Sequence, residues 1–377
     1  MSTLRNMLAA SITAIALAGV ATAGEVRIGS VSGITGPNGA TGAEGVALVN
    51  GYFDMINAKG GINGNTIVRV TKDDQYDPRR TAALVDEVIN KDNVVALLNA
   101  VGTANAIAVM KSGILNKSKV PLVGVFSGAD VLRGPGSEQI FHTRATYTDE
   151  VMKISRLVST LGIKRVALLY QDDGFGAGIN QSVAKAAEQY GFEVINKTAY
   201  KTGETDFTQH AKAMISAKPQ AIFLMGVPDA VTRFMKVYDA PAGASQIYTL
   251  SFVPAKMLAA EVGEKRVRGM GISQVVPNPE TTTLPLAKEF QAFLKSPYGK
   301  GISSNPTNFE VFINTRLLLE AVRMAGSNPT PEKVTKALTS MNGYQLAGYP
   351  INFSDTNRSG SHYLDIGVVG FNGRLNY

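Results

Sequence analysis

The chain of 377 residues contains no cysteine. Disulfide bonds, thiolate metal sites and thiol catalysis are therefore excluded. A lipid-anchored lipoprotein is excluded as well, because that anchor requires a cysteine at the cleavage point. The chemistry available to this protein is correspondingly narrow.

Signatures of catalysis are also missing. The three histidines, His142, His210 and His362, are far apart and none belongs to an H-E-x-x-H motif. No phosphate-binding G-x-x-x-x-G-K-[ST] and no G-x-S-x-G nucleophile motif occurs. The glycine run Gly174–Gly178 has isoleucine where a dinucleotide loop needs its last glycine, which favours a tight strand-to-helix turn. We predict a protein that is not an enzyme and that has no cofactor or metal.

Only 18% of the residues are charged, with a formal net charge of +7. A basic protein raises the question of nucleic-acid binding, which requires a clustered basic stripe. The basic residues here are scattered, with only short pairs such as Arg79-Arg80 and Lys265-Arg266. We therefore expect no nucleic-acid partner.

Long apolar runs are missing too. The longest, residues 7–20, follows Arg5 and ends in Ala21-Thr22-Ala23, the pattern of a secretory signal peptide cleaved after Ala23. It falls short of the about 20 apolar residues that a spanning helix needs. We expect residues 1–23 to be a signal peptide that directs secretion of the mature protein.

What the chain does contain is a repeated alternation of strand and helix patterns, typical of parallel sheets covered by helices. One series begins with the β-branched run Val26–Val31, and a second with the strand pattern Arg165–Tyr170. Two such series predict two α/β lobes, each a doubly wound parallel sheet. The expected helices include 104–115 and 179–190, and the expected strands include 121–125.

Helical patterns near the end of the chain, 286–294, 309–325 and 332–341, follow no strand pattern that they could cover. They most simply return to the first lobe. A hinge of several strands would join the two lobes.

Several stretches resemble a known family, the type I periplasmic binding proteins of the leucine/isoleucine/valine-binding class. The matching stretches are 31–37, 57–62, 73–74 with 77–78, 101–103, 144–150, 170–176, 251–253 and 273–277. The resemblance covers nearly the whole mature chain, and the order and spacing of the stretches make it specific. It implies a first lobe of residues 24–144 and 277–350 and a second lobe of residues 145–276 and 351–377. A hinge of three crossovers would join them, with a ligand in the cleft at the carboxyl ends of the strands.

The resemblance further implies a solute-binding component of an ABC importer, which closes over a small carboxylate-bearing ligand and docks on a membrane permease. A monomer suits that docking. The ligand-binding residues that it implies or that lie beside the expected cleft are Thr103, Ser127, Gly128, Ala129, Tyr147, Asp173, Phe175 and Ser251. The acid pairs Asp73-Asp74 and Asp172-Asp173 follow predicted strands, where they either cap the next helix or contact the ligand.

Two departures from the family bear on the ligand. A glutamate that pairs with an amino acid's ammonium group in the family is replaced by the stretch Thr249-Leu250-Ser251-Phe252. Either another acid, such as Asp173 or Asp229, takes its place, or the ligand is an aromatic or aliphatic carboxylate without an amine. The family's disulfide positions fall at Tyr76 and Val101, so that this link is lost as a unit.

Two other functions stay open at this point. A sensory module that reports a bound ligand to a membrane receptor would have the same sequence features. A secreted α/β enzyme would require a site that the motif search misses.

Overall fold

The computed structural model describes residues 24–37, 39–241 and 243–377. The predicted signal peptide, residues 1–23, lies outside the described residues. Within the described ranges, no helix has both the length and the apolar character to cross a membrane.

Fourteen strands are present in the described part of the chain. They are β1 (Glu25–Ser32), β2 (Thr66–Asp73), β3 (Ala96–Leu98), β4 (Leu122–Val123), β5 (Ile140–Phe141), β6 (Arg165–Gln171), β7 (Glu193–Tyr200), β8 (Ala221–Met225), β9 (Gln246–Thr249), β10 (Gly271–Gln274), β11 (Tyr344–Leu346), β12 (Tyr349–Ile351), β13 (Asp365–Val369) and β14 (Leu375–Asn376).

Thirteen α-helices accompany them in the same ranges. They are α1 (Gly39–Asn57), α2 (Pro78–Asn90), α3 (Thr103–Ser112), α4 (Ile114–Ser118), α5 (Tyr147–Thr160), α6 (Gly174–Tyr190), α7 (Thr208–Ala217), α8 (Pro228–Val237), α9 (Ala255–Val262), α10 (Glu264–Val267), α11 (Pro285–Lys295), α12 (Pro306–Met324) and α13 (Pro331–Thr339).

The strands form two doubly wound sheets, which confirms the predicted α/β fold class. The first sheet has the order β2-β1-β3-β4-β5 and is parallel throughout. The second repeats this order as β7-β6-β8-β9-β10 and adds β13 and β14 antiparallel at one edge. In each sheet the strand order reverses between two neighbours, β1 and β3 or β6 and β8, and such switch points are where open α/β sheets bind ligands.

The first lobe consists of the first sheet with the helices that pack on it, and the second lobe consists of the second sheet with its helices. The chain passes between the lobes after β5, after β10 and before β13. Helices α11, α12 and α13 contribute Phe290, Phe312 and Val334 to the core of the first lobe.

The last passage lies later than the predicted division after residue 350. Phe353 packs edge-to-face on Phe141 of β5, with ring centroids 5.1 Å apart. Ser359 forms a bridge with His142, and Gly360 donates to the carbonyl of His142. Residues 351–361 therefore belong with the first lobe, because a buried aromatic pair holds them there, and the second lobe receives the chain only at Asp365.

Local geometry corrects three predicted elements. The predicted helix 104–115 is two helices, because Gly113 adopts a left-handed conformation with φ of 70°. The predicted strand 121–125 pairs only over Leu122–Val123. Gly174–Gly178 is not a turn but the first part of α6, because Asp173 caps that helix by accepting from the backbone N–H groups of Phe175 and Gly176.

Two glycines of α6 give a matched test of this packing. A Cβ on Gly176 would overlap the carbonyl oxygen of Gln171, whereas a Cβ on Gly178 would meet nothing within 4 Å. We expect Gly176→Ala to lower the free energy of unfolding by about 1–3 kcal/mol through overpacking. Gly178→Ala should raise it by about 0.5–1 kcal/mol, since alanine loses less backbone entropy in a helix. Urea unfolding of both variants measures the difference, and equal effects would contradict the close approach of Gly176 to Gln171.

Candidate ligand-binding site

A pocket lies between the two lobes. It is lined by Ser32, Thr41, Gly42, Gly45, Val46, Arg69, Tyr76, Asn99, Val101, Gly102, Thr103, Phe126, Tyr147, Phe175, Val227, Pro228, Phe252, Thr307 and Val311. The lining comes from both lobes, so the structure shows them closed on the pocket.

The two switch points supply much of this lining. Ser32 ends β1 and Asn99 follows β3, while Phe175 follows β6 and Val227 follows β8. The carboxyl ends of the four strands that flank the switch points thus face one another across the pocket. This is the position that the doubly wound topology favours for a ligand.

Three hydroxyl groups form a polar cluster at the beginning of α3. The Thr103 hydroxyl is 2.7 Å from that of Ser127 and 3.3 Å from that of Tyr147. Gly102, the residue before α3, has φ of 101° and gives the helix no side-chain cap. The N–H groups of that first turn and the hydroxyls favour an acceptor group such as a carboxylate. Burial raises the pKa of Tyr147, so this phenol stays protonated at neutral pH.

Gly128 holds this cluster in place. Its carbonyl accepts a hydrogen bond of 2.7 Å from the backbone N–H of Tyr147. A Cβ at position 128 would lie 2.6 Å from both that nitrogen and the Tyr147 ring. Ala129 donates its backbone N–H to the Ser127 hydroxyl over 3.2 Å. These two residues therefore position the hydroxyl cluster rather than line the pocket.

Aromatic rings form the apolar walls. Tyr147, Phe175 and Phe252 contact one another edge-to-face, with ring centroids 5.2, 5.8 and 6.0 Å apart. Phe126 and Tyr76 complete the set of rings on the lining. Tyr76 and Val101, where the family resemblance places a disulfide, are both on this wall. Both positions thus contribute apolar surface to the pocket.

A buried ion cluster lies behind the rings and joins the lobes. Arg144, between the lobes, is 3.6 Å from Glu150 of the second lobe and 3.7 Å from Glu310 of the first lobe. Its guanidinium carbon lies 4.2 Å from the centre of the Phe252 ring, and it donates to the Ser251 hydroxyl. Glu150 also accepts from the backbone N–H of Ser251 and from the Ser273 hydroxyl. The cluster fixes the floor of the pocket.

The chain matches the family model of the periplasmic binding proteins over residues 25–374. It belongs to this family. As a type I periplasmic binding protein, it is similar to a substrate-binding periplasmic protein from Ralstonia solanacearum, with 32% identity over 93% of this chain and 99% of that one and a TM-score of 0.88.

Other relatives carry names that state a ligand. A Leu/Ile/Val-binding protein homologue from Brucella melitensis is 22% identical over 91% of this chain and 90% of its own length. A branched-chain amino acid ABC transporter protein from Thermus thermophilus, solved with bound valine, is 19% identical over 94% of this chain and 95% of that chain, with a TM-score of 0.84. Relatives of this periplasmic binding protein are therefore solute-binding proteins, a family without enzymatic activity.

The predicted site residues fall into three groups. Thr103, Tyr147 and Phe175 line the pocket, and Ser127, Gly128 and Ala129 support Thr103 and Tyr147 from behind. Ser251 belongs to the ion cluster. Asp173 caps α6. Asp229 pairs with Arg233 over 2.8 Å in an adjacent depression that shares Thr41 and Pro228 with the pocket, so neither carboxylate is on the pocket lining.

Sequence reasoning did not select Arg69, Asn99, Phe126 or Phe252 as site residues. The sequence does single out Arg69, because it is the only arginine in β2 and its neighbours in that strand, Val68 and Val70, are apolar. Phe252 directly follows Ser251, which was selected. Asn99 and Phe126 carry no signal of their own, since only the fold brings them to the pocket.

The ion cluster predicts a pH dependence of stability. Burial raises the pKa of Glu310 from 4.5 to about 7, although Arg144 opposes the shift. Between these two values the folded protein keeps a proton that the unfolded chain releases, so this stabilisation is full at low pH and is lost as the pH rises through about 7.

Glu310→Gln should therefore remove part of the decline in unfolding free energy between about pH 5 and about pH 8, by up to about 3 kcal/mol. Chemical denaturation across this pH range measures the slope. Glu188→Gln, an exposed change on α6, should leave the slope as it is. An unchanged slope in Glu310→Gln would show that Glu310 is ionised throughout.

Proposed function

We propose that this protein is the periplasmic substrate-binding component of an ABC importer. It captures a small carboxylate-bearing solute by closure of its two lobes and presents the closed form to a membrane permease. The observation that carries this proposal is the pocket between the two switch points, lined from both lobes and provided with a hydroxyl cluster at a helix amino end. The solute-binding relatives support it.

Closure gives the pocket its affinity. In an open form the Thr103 hydroxyl on the first lobe and the Phe175 ring on the second would be far from each other and exposed to water. A ligand that touches both favours the closed state by the difference in its affinity for the two states. Arg144 and its two glutamates provide the fixed point about which the lobes move.

The carboxylate of the solute is held by the beginning of α3. Thr103 is 1% exposed and contributes its hydroxyl and its backbone N–H. The surrounding rings exclude water and so strengthen these hydrogen bonds. The branched-chain amino acids named for several relatives have such a carboxylate, and so do carboxylic acids that lack an amine.

Uptake by living cells tests the function. Deletion of the gene should abolish uptake of those carboxylates that raise the melting temperature of the purified, ligand-stripped protein, because a ligand stabilises the fold in proportion to its saturation. Normal uptake together with a lost transcriptional or chemotactic response would instead establish the sensory function.

A single substitution then connects the pocket with uptake. Thr103→Val keeps the side-chain volume but removes the hydroxyl, and it should weaken binding of the transported carboxylate about 10-fold through the loss of one hydrogen bond to a charged group. Isothermal titration calorimetry gives the affinity. Thr160→Val, at an exposed position on α5, is the control and should bind as the unmodified protein does. Equal affinities of the two variants would remove Thr103 from the site.

A further inference from the structure

The pocket wall contains buried polar atoms that have no hydrogen-bond partner among the described residues. They are Nε of Arg69, Nδ2 of Asn99 and Oγ1 of Thr307. The two nitrogens can only donate, and the hydroxyl can also donate. A buried donor without an acceptor costs about 1–3 kcal/mol. A ligand that presents acceptors would remove this cost.

Arg69 is the charged group on this wall. Its Nη1 donates to the carbonyl of Val46 over 2.7 Å and its Nη2 donates to the Ser30 hydroxyl over 3.0 Å, which leaves Nε for another partner. No carboxylate among the described residues pairs with it. Burial lowers the pKa of Arg69 only to about 10, so it remains a cation at neutral pH.

Carboxylates, by contrast, are missing from the described lining. Those nearby are engaged elsewhere. Asp74 accepts from the Tyr76 N–H, from Thr81 and from Asn105, and Asp173 caps α6. Glu150 and Glu310 face Arg144 behind the rings.

An ammonium group in this closed pocket would therefore lie beside a cation and would have no anionic partner. Enclosing a charge without a partner is strongly unfavourable. Five residues of the lining, Tyr76, Phe126, Tyr147, Phe175 and Phe252, contribute aromatic rings. Rings packed edge-to-face suit an aromatic ligand body.

We propose that the pocket binds aromatic monocarboxylates that lack an ammonium group, with the Arg69 guanidinium as the charged partner of the carboxylate. This inference rests on the capture function proposed above and names its substrate class. Asn99 and the cluster around Thr103 supply further donors, and the five rings enclose the aromatic body. The carboxylate of such a ligand supplies the acceptors that the unpaired donors lack.

A matched pair of compounds tests the proposal on the intact, ligand-stripped protein. 3-Phenylpropanoate and phenylalanine share a skeleton and differ in the ammonium group. Isothermal titration calorimetry should give an affinity for 3-phenylpropanoate that is higher by about 100-fold or more, the effect expected of an unpaired buried charge. Leucine and 4-methylpentanoate form a second pair that tests the ammonium group without the ring.

Variants at position 69 test the partner. Arg69→Met should weaken 3-phenylpropanoate binding by about 30-fold or more, because it removes a charge-assisted hydrogen bond. Arg69→Lys keeps the charge and should recover part of the affinity. Arg27→Met, in an exposed ion pair with Glu25, is the control and should bind normally. If Arg69→Met does not fold, the affinities of the unmodified protein for 3-phenylpropanoate and phenylalanine still decide whether the ligand lacks an ammonium group.

The outcomes separate this inference from the capture function. Tight binding of 3-phenylpropanoate with weak binding of phenylalanine supports both. Tight binding of leucine or phenylalanine overturns the substrate class and leaves the capture function standing. If benzoate, phenylacetate and 3-phenylpropanoate all fail to bind, the substrate class is wrong, and uptake in the deletion strain decides the capture function separately.

Discussion

The guanidinium of Arg144 is the point on which the arrangement of the two lobes depends. It is fully buried between them, and Glu150 of the second lobe and Glu310 of the first lobe bring carboxyl oxygens to 3.6 and 3.7 Å from it. The same group lies against Phe252, whose other neighbours are Phe175 and Tyr147. Breaking such a cluster by removing one partner is strongly destabilising. The hinge and the pocket floor are thus one structural unit.

The ion cluster at the pocket floor also affects which charged groups face the pocket. Glu150 and Glu310 face the arginine behind the rings, Asp173 caps α6, Asp74 binds Thr81 and Asn105, and Asp229 pairs with Arg233. No carboxylate is therefore on the described lining to meet a cationic ligand. Arg69 and Asn99 leave donors unpaired on the wall. Under the proposed function, a closed site of this composition would select by electrostatic penalty, since a wrongly charged ligand cannot be solvated once the lobes meet. Tyr76 and Val101 extend the same wall.

The architecture could be predicted from the sequence because it depends on periodicity. Strand and helix patterns recur twice, and the structure has the two doubly wound sheets that they predict. The sequence did not show how the last residues are shared between the two lobes, because the burial of Phe353 against Phe141 connects residues that are far apart in the chain. The division of the predicted helix 104–115 into α3 and α4 could not be predicted, because it depends on the left-handed conformation of Gly113 and the alanine-rich pattern gives no sign of it.

The candidate site was predictable only where it follows strand ends. Thr103, Tyr147 and Phe175 lie beside recognisable motifs, and the structure brings them together. Asp173 and Asp229 carry a charge of the required sign, but a helix cap and an ion pair with Arg233 engage them. Sequence alone does not show which partners a carboxylate already has. For the same reason it could not decide between a ligand with an ammonium group and one without.

If the lobes close on an anion and not on a zwitterion, a distance between the lobes beside the pocket will respond to the one and not to the other. Because the chain has no cysteine, nitroxide labels can be placed at Ala40→Cys and Lys236→Cys, which line a depression next to the pocket from opposite lobes. Pulsed electron paramagnetic resonance should show a shorter, narrower distance distribution when 3-phenylpropanoate is added to the ligand-stripped protein, and no change with phenylalanine. A shortening caused by phenylalanine or leucine, but not by 3-phenylpropanoate, would show that the lobes close on a zwitterion instead.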